Sequence, residues 1–204
     1  MSVAQSYFDQ LKKELPVIKS YAPARGAEKY FIAEVLRFHS IAGTILQSFP
    51  DPQGNIDSRI ITHILTRSLL EAYFWIIYIF DDKSTIDQRF DDLLTDFKSQ
   101  YSKLYNEQEL PKNGLEEPDP SWAKMKFKLD LKSMLDTSEN DYQDKLGYLY
   151  FVYRITSFDT HAKSLEPLFD ESFKKSCMFP VLKLPKVFDL IANQYLVVWE
   201  SIKQ

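Results

Sequence analysis

Apolar positions recur along most of the chain at intervals of three and four residues, the spacing of one face of an α-helix. In the first segment they are Val3, Tyr7, Phe8, Leu11, Leu15 and Ile18, and Ala22-Pro23 ends the pattern. A second helix is expected from Arg25 to Phe49, with Tyr30, Phe31, Val35, Phe38, Ile41, Ala42 and Ile45 inward. The run Pro50 to Asn55 reads as a turn, because proline fixes φ and Gly-Asn tolerates positive φ. A third helix, capped by Asp57 or Ser58, should reach Phe80. Between Arg67 and Asp81 its only charged residue is Glu71, so it should be buried on every face.

Ser84 or Thr85 should cap a fourth helix reaching about Glu109. Its stripe is Ile86, Phe90, Leu93, Leu94, Phe97, Tyr101 and Tyr105. The stretch 110–120 reads as a linker, and Asp119-Pro120 as a start signal. Residues 121–135 are ambiguous. Met125, Phe127, Leu129 and Leu131 alternate as in a strand, while Trp122, Met125, Leu129 and Met134 fit a helix. A helix is expected there, since no partner strand is evident. A sixth helix runs from Asp141 toward Ser164, without charge from Leu146 to Tyr153. Ser172 to Pro185 looks irregular, and Leu184 to Lys203 forms the last helix. About seven helices and no convincing strand pair predict a single-domain, all-α bundle over 1–204.

Composition narrows the function classes. The 204 residues are 15% aromatic with only five glycines, which argues against disorder and Gly-rich phosphate loops. The single cysteine, Cys177, excludes an internal disulfide and a cysteine-based zinc site, and reads as a structural or incidental thiol. The three histidines are His39, His63 and His161, and no cofactor motif is present. No secretory leader is evident, and the apolar run Ala72 to Phe80 is shorter than the roughly twenty residues that cross a bilayer. A cytoplasmic protein with no membrane partner is expected.

Net charge is −4, which does not suggest a general nucleic-acid binder. Its distribution is uneven. From Asp81 to Pro120 eleven acids meet five bases, a balance of −6, while from Arg154 to Lys186 six bases meet four acids, a balance of +2. An anionic ligand would meet the C-terminal third more readily, although solvated helix faces account for both clusters.

Two core helices place ionisable groups beside apolar runs. On the third, His63, Arg67 and Glu71 follow one another at successive turns and form one polar stripe. On the sixth, Arg154 and His161 are seven residues apart, which returns to within roughly 20° of the same face, about 10 Å along the axis. Ser157 shares that face. If the helices line one crevice, Arg67, Glu71, Arg154, Ser157 and His161 converge. The plainer expectation for Arg67 and Glu71 is mutual neutralisation, because an unpaired buried charge is costly. His63 is expected to be partly exposed or hydrogen-bonded, and His39 to be ordinary packing. No G-x-S-x-G, Walker, H-E-x-x-H or Rossmann pattern occurs. Asp81-Asp82 and Asp91-Asp92 read as helix-start partners and solvated residues.

Arg154 and His161 fit the R-x(4–6)-H pattern, so the chain resembles HEPN domains, all-α proteins that include metal-independent ribonucleases of toxin–antitoxin and phage-defence systems. The text from Tyr150 through Tyr153, Arg154, Ser157 and His161 to Ser164, with Arg67-x-x-x-Glu71 upstream, is also similar to a poorly characterised bacterial helical family. The likeness spans Ser58 to Ser164, about half the chain. The HEPN nucleases tend to carry a polar residue after the arginine, where this chain has Ile155.

The resemblance implies an endoribonuclease with His161 as base and Arg154 on the scissile phosphate. Ser157, Arg67, Glu71, Tyr150 and Tyr153 would be binding residues, and the partners RNA, a second copy in a homodimer and an antitoxin-type protein. The competing expectation is a non-catalytic helical protein in which Arg67, Glu71, Arg154 and His161 form a buried structural or ligand-binding network.

Overall fold

The computed structural model of the chain describes residues 6–51, 55–127, 129–138, 143–161, 165–176 and 182–204. Eight α-helices and one 3-10 turn are present, with no strand among the described residues. The helices are α1 (Tyr7–Ser20), α2 (Gly26–Ser48), α3 (Ile56–Phe80), α4 (Ile86–Tyr105), α5 (Leu131–Asp136), α6 (Gln143–Thr160), α7 (Leu165–Phe173) and α8 (Leu184–Ile202). The all-α expectation holds. The chain falls into two compact units, one formed by 1–73 with 140–204, the other by 74–139.

In the first unit α8 packs through one apolar face. Val187, Phe188, Ile191, Ala192, Tyr195, Val198 and Trp199 are buried at the spacing of a single helix face. Phe31, Val35, Phe38, Ala42 and Ile45 of α2 form the matching stripe, and Phe38 meets Phe188 and Tyr195 edge-on at 6.2 and 5.2 Å. Such aromatic pairs add about 0.5–1.5 kcal/mol beyond area burial. Ser6 caps α1 by accepting the Asp9 N–H at 3.1 Å. Two polar bonds fasten α1 to α8. The Phe8 N–H donates to Asp189 at 3.0 Å, and Trp199 Nε1 donates to Glu14 at 3.1 Å. His39, expected as packing, stacks on Phe8 at 5.2 Å.

α3 starts two or three residues earlier than a cap at Asp57 or Ser58 would give, because Asn55 of the preceding turn takes the capping role and accepts the Ser58 N–H at 2.8 Å. By length and composition this helix could cross a membrane, although 61% of its most apolar window is buried inside the protein. Leu69, Leu70, Phe74, Ile76, Ile77 and Ile79 are all sealed, as expected of a core helix.

In the second unit, Arg89 of α4 donates to the Tyr78 carbonyl at 2.6 Å, occupying an acceptor in the last turn of α3. Tyr78 donates its hydroxyl to Asp92 at 2.7 Å, and burial pushes its pKa up to about 12. Residues 121–135 do not form the expected helix. A 3-10 turn over Pro120–Lys124, begun by Asp119, gives way to extended backbone at Met125 and Asp130, and α5 then starts at Leu131. The extended backbone at Met125 and Asp130 interrupts the helical pattern, and Asp130 caps α5 by accepting the Ser133 N–H. The sixth helix ends at Thr160 rather than near Ser164. Leu165–Phe173 form α7, so Ser172 and Phe173 of the segment expected to be irregular are helical. Cys177, Lys163 and Ser164 lie outside the described residues.

Candidate functional site on the third and sixth helices

Arg59, His63, Arg67 and Glu71 stand one turn apart on α3, so a single ridge of the helix carries all four. α6 meets this ridge with Tyr153, Ser157 and Asp159. Two clusters result.

The first is sealed. His63 and the Asp159 side chain have almost no exposure, and His63 Nδ1 lies 2.6 Å from Asp159 Oδ2. A carboxylate only accepts, so Nδ1 carries the hydrogen and neutral His63 donates it. Burial drives the His63 pKa below its ordinary 6.5, against the opposing pull of Asp159. Arg59 Nε sits 3.7 Å from the same Asp159 oxygen. Its two terminal nitrogens fork onto Glu166 of α7, a bidentate pair that holds the Glu166 carboxyl below its usual range. His63 therefore belongs to the hydrogen-bonded half of its expectation, and it is buried rather than partly exposed.

The second cluster surrounds Arg67. Its guanidinium donates to Ser157 Oγ and, at 2.9 Å, to the Tyr153 hydroxyl, and it pairs with Glu71 at 3.0 Å. It also lies 4.4 Å from the centre of the Tyr153 ring, within cation–π range. Ser157 donates its own hydroxyl hydrogen to the Tyr153 carbonyl at 2.7 Å, leaving its lone pairs for Arg67. Burial raises the Tyr153 pKa. Tyr150 stacks on Tyr153 with ring centres 6.0 Å apart. The expected neutralisation of Arg67 by Glu71 is present, and Arg67 is mostly buried while the Glu71 side chain is 48% exposed.

Arg154 and His161 are placed differently. Both are exposed, on the side of α6 that also exposes Phe151 and Phe158. His161 lies just beyond the last residue of α6, and its N–H donates to the Ser157 carbonyl at 3.1 Å, carrying the helical bonding one step further. Among the described residues no side-chain hydrogen bond or ion pair joins Arg154 or His161 to the Arg67 cluster. The five-residue convergence is therefore divided: Arg67, Glu71 and Ser157 meet, with Tyr153 added, and Arg154 and His161 face outward. The geometric reason is simple. Arg154 is one residue, or about 100°, around the helix from Tyr153.

Asp159, Arg59 and Glu166 complete the site beyond the residues that the sequence nominates. Arg59 had a legible signal, since it extends the stripe by one turn. Asp159 had a weaker one, as the acid following the apolar run of α6. Glu166 had none.

Chemically, the two exposed groups complement each other. An accessible guanidinium can take a phosphate with two parallel hydrogen bonds, and an accessible imidazole can exchange a proton with a bound ligand. Among the described residues, no three histidine, cysteine, aspartate or glutamate side chains are grouped to hold a metal ion. Recesses of about 420 Å³ between α1 and α8, and about 460 Å³ beside Glu166 and Asp170, contain neither exposed group. Comparison with known proteins gives no matching family model, no matching curated protein and no matching solved structure.

Proposed function

We propose that the chain is a metal-independent endoribonuclease of HEPN-like type, acting through His161 and Arg154. One observation carries the reading: both side chains are exposed on one side of α6, and neither has a hydrogen bond or ion pair with another described residue. His161 removes the proton from an RNA 2′-hydroxyl, and the freed oxygen attacks the adjacent phosphorus. The bond to the 5′ oxygen breaks, that oxygen gains a proton, and the products are a 2′,3′-cyclic phosphate and a 5′-hydroxyl. Arg154 holds the phosphate oxygens and offsets the charge that grows on them. DNA lacks the attacking hydroxyl and is spared.

Arg67, Glu71, Tyr153 and Ser157 do not touch the reacting atoms in this scheme. They fix the face of α6 that bears Arg154, and Tyr150 extends that surface with a stacked ring. The reading includes a cytoplasmic protein in a defence or toxin role. Its homodimer brings two Arg154/His161 pairs together, and an antitoxin-type protein can cover them.

The test is cleavage of a mixed-sequence RNA in EDTA, wild type beside His161→Ala and Arg154→Ala. Cyclic-phosphate ends that vanish in both variants are expected. Cleavage that persists in His161→Ala removes the assignment of the base, and an inert wild type removes the nuclease reading. The second reading, a non-catalytic helical protein, is favoured by the Arg67 cluster, whose donors are taken up by internal partners. It stands if RNA is not cut and Arg67→Ala unfolds the first unit.

A further inference from the structure

We infer that α4 carries a docking strip for a second copy of this chain, with the two α4 helices side by side and antiparallel. The inference is independent of the nuclease reading and uses no residue of it.

The strip begins with an inversion of the expected packing. The residues of α4 that are sealed include Ser99 and Ser102, while Phe97 of its apolar stripe and Leu104, outside that stripe, are 54% and 51% exposed. One edge of the stripe is covered from within the second unit. The Tyr101 ring meets Trp122, its hydroxyl donates to the Glu116 carbonyl at 2.5 Å, and Lys98 lies over Trp122. The other edge is Leu93, Phe97, Gln100 and Leu104, and Gln100 is exposed as well.

These four positions are spaced by four, three and four residues. That is the seam of a coiled coil rather than the wider stripe of a helix buried in a globular core. Beside the seam, on one flank, stand Asp96 and Lys103, seven residues apart and of opposite sign. Neither side chain has a hydrogen bond or ion pair with another described residue.

An antiparallel pair of identical helices sets each seam residue opposite one whose number completes a constant sum. Placing Leu93 against Leu104 of the second copy also places Phe97 against Gln100. Flanking residues face one another two positions off the seam register, so Asp96 meets Lys103 of the second copy on the same flank, and the two-fold axis repeats each contact. The strip is thus complementary to itself in shape and in charge. A nucleic acid is disfavoured as the occupant, because the surrounding stretch 81–120 carries −6.

The full chain is examined by analytical ultracentrifugation over a concentration series, with helicity followed by circular dichroism. A species of twice 23.9 kDa that dissociates on dilution is expected. Asp96→Lys should weaken it at least about tenfold by setting like charges together, and Asp96→Lys with Lys103→Asp should restore it. Gln100→Leu removes the one polar seam position and should tighten association by about tenfold or more without touching the sealed side of α4. A wild type that is monomeric throughout overturns the inference. So does a dimer indifferent to Asp96→Lys, which would lie on another face, or a charge swap that fails to restore a still-helical variant. Should Asp96→Lys lose helicity, Gln100→Leu decides: no tightening overturns the inference.

Discussion

His63 and His161 belong to neighbouring parts of one helix pair, and the structure treats them in opposite ways. His63 is sealed, hands its Nδ1 hydrogen to Asp159, and sits beside an arginine whose fork is spent on Glu166. His161 lies past the end of α6, exposed, with only its backbone engaged. The lesson concerns what an ionisable group can do once its partners are counted. A histidine closed to solvent and bonded to a carboxylate cannot meet a substrate, whereas its removal leaves a charge stranded in the core. An exposed one contributes little to stability and is free for chemistry.

The sharpest way to break this contrast is Asp159→Ala. It takes away one of the two carboxylates around Arg59 and removes the Asp159 acceptor of His63 in a sealed setting, and should cost about 3–5 kcal/mol by chemical denaturation. A loss under about 1 kcal/mol would mean that the sealed cluster is not a single unit. Arg67→Ala is expected to come next, at about 2 kcal/mol, since it removes charged hydrogen bonds to Ser157 and Tyr153 in a mostly buried setting.

The pH dependence is smaller and has a definite sign. The folded state holds the His63 pKa below 6.5, so below that pH the unfolded chain takes up the proton first. Stability is therefore full above about pH 7.5 and declines as pH falls through 6.5 toward the folded value, by at most about 1.4 kcal/mol per pH unit. His63→Asn should abolish this part of the slope in a melting series, and an unchanged slope would assign it to other groups. The smallest expected effect is that of His161→Ala on folding, within about 0.5 kcal/mol, although the same variant should lose RNA cleavage. A large drop in its midpoint would place His161 in the folding core and remove the contrast altogether.

The helices were legible wherever one period dominated. α2 and α8 bury residues their spacing nominates, and the second half of α3 is largely sealed because almost nothing in it could face water. Reading failed where two periods competed, as in 121–135, or where a side chain outside the segment set the boundary, as Asn55 does for α3. α4 misled for another reason. Its apolar stripe is real, but amphipathicity specifies a face and not what lies against it.

The same limit shaped the site. The ridge of His63, Arg67 and Glu71 follows from helical spacing alone. That Arg67 turns to Ser157 and Tyr153 while Arg154 turns away depends on the rotation of α6 about its axis, which one sequence does not contain. Glu166 was out of reach because its partner, Arg59, is 107 residues away.

The double grip of Arg59 reaches beyond its contribution to stability. One guanidinium joins α3 to Asp159 near the end of α6 and to Glu166 in the first turn of α7. Local opening of either helix end must release the same cation, so the two ends cannot fray independently. Backbone amides of α6 near Thr156 and of α7 past Glu166 should then exchange with solvent through one shared opening, with a common free energy. Segments that sequence separates would behave as a single cooperative element, bounded by one side chain.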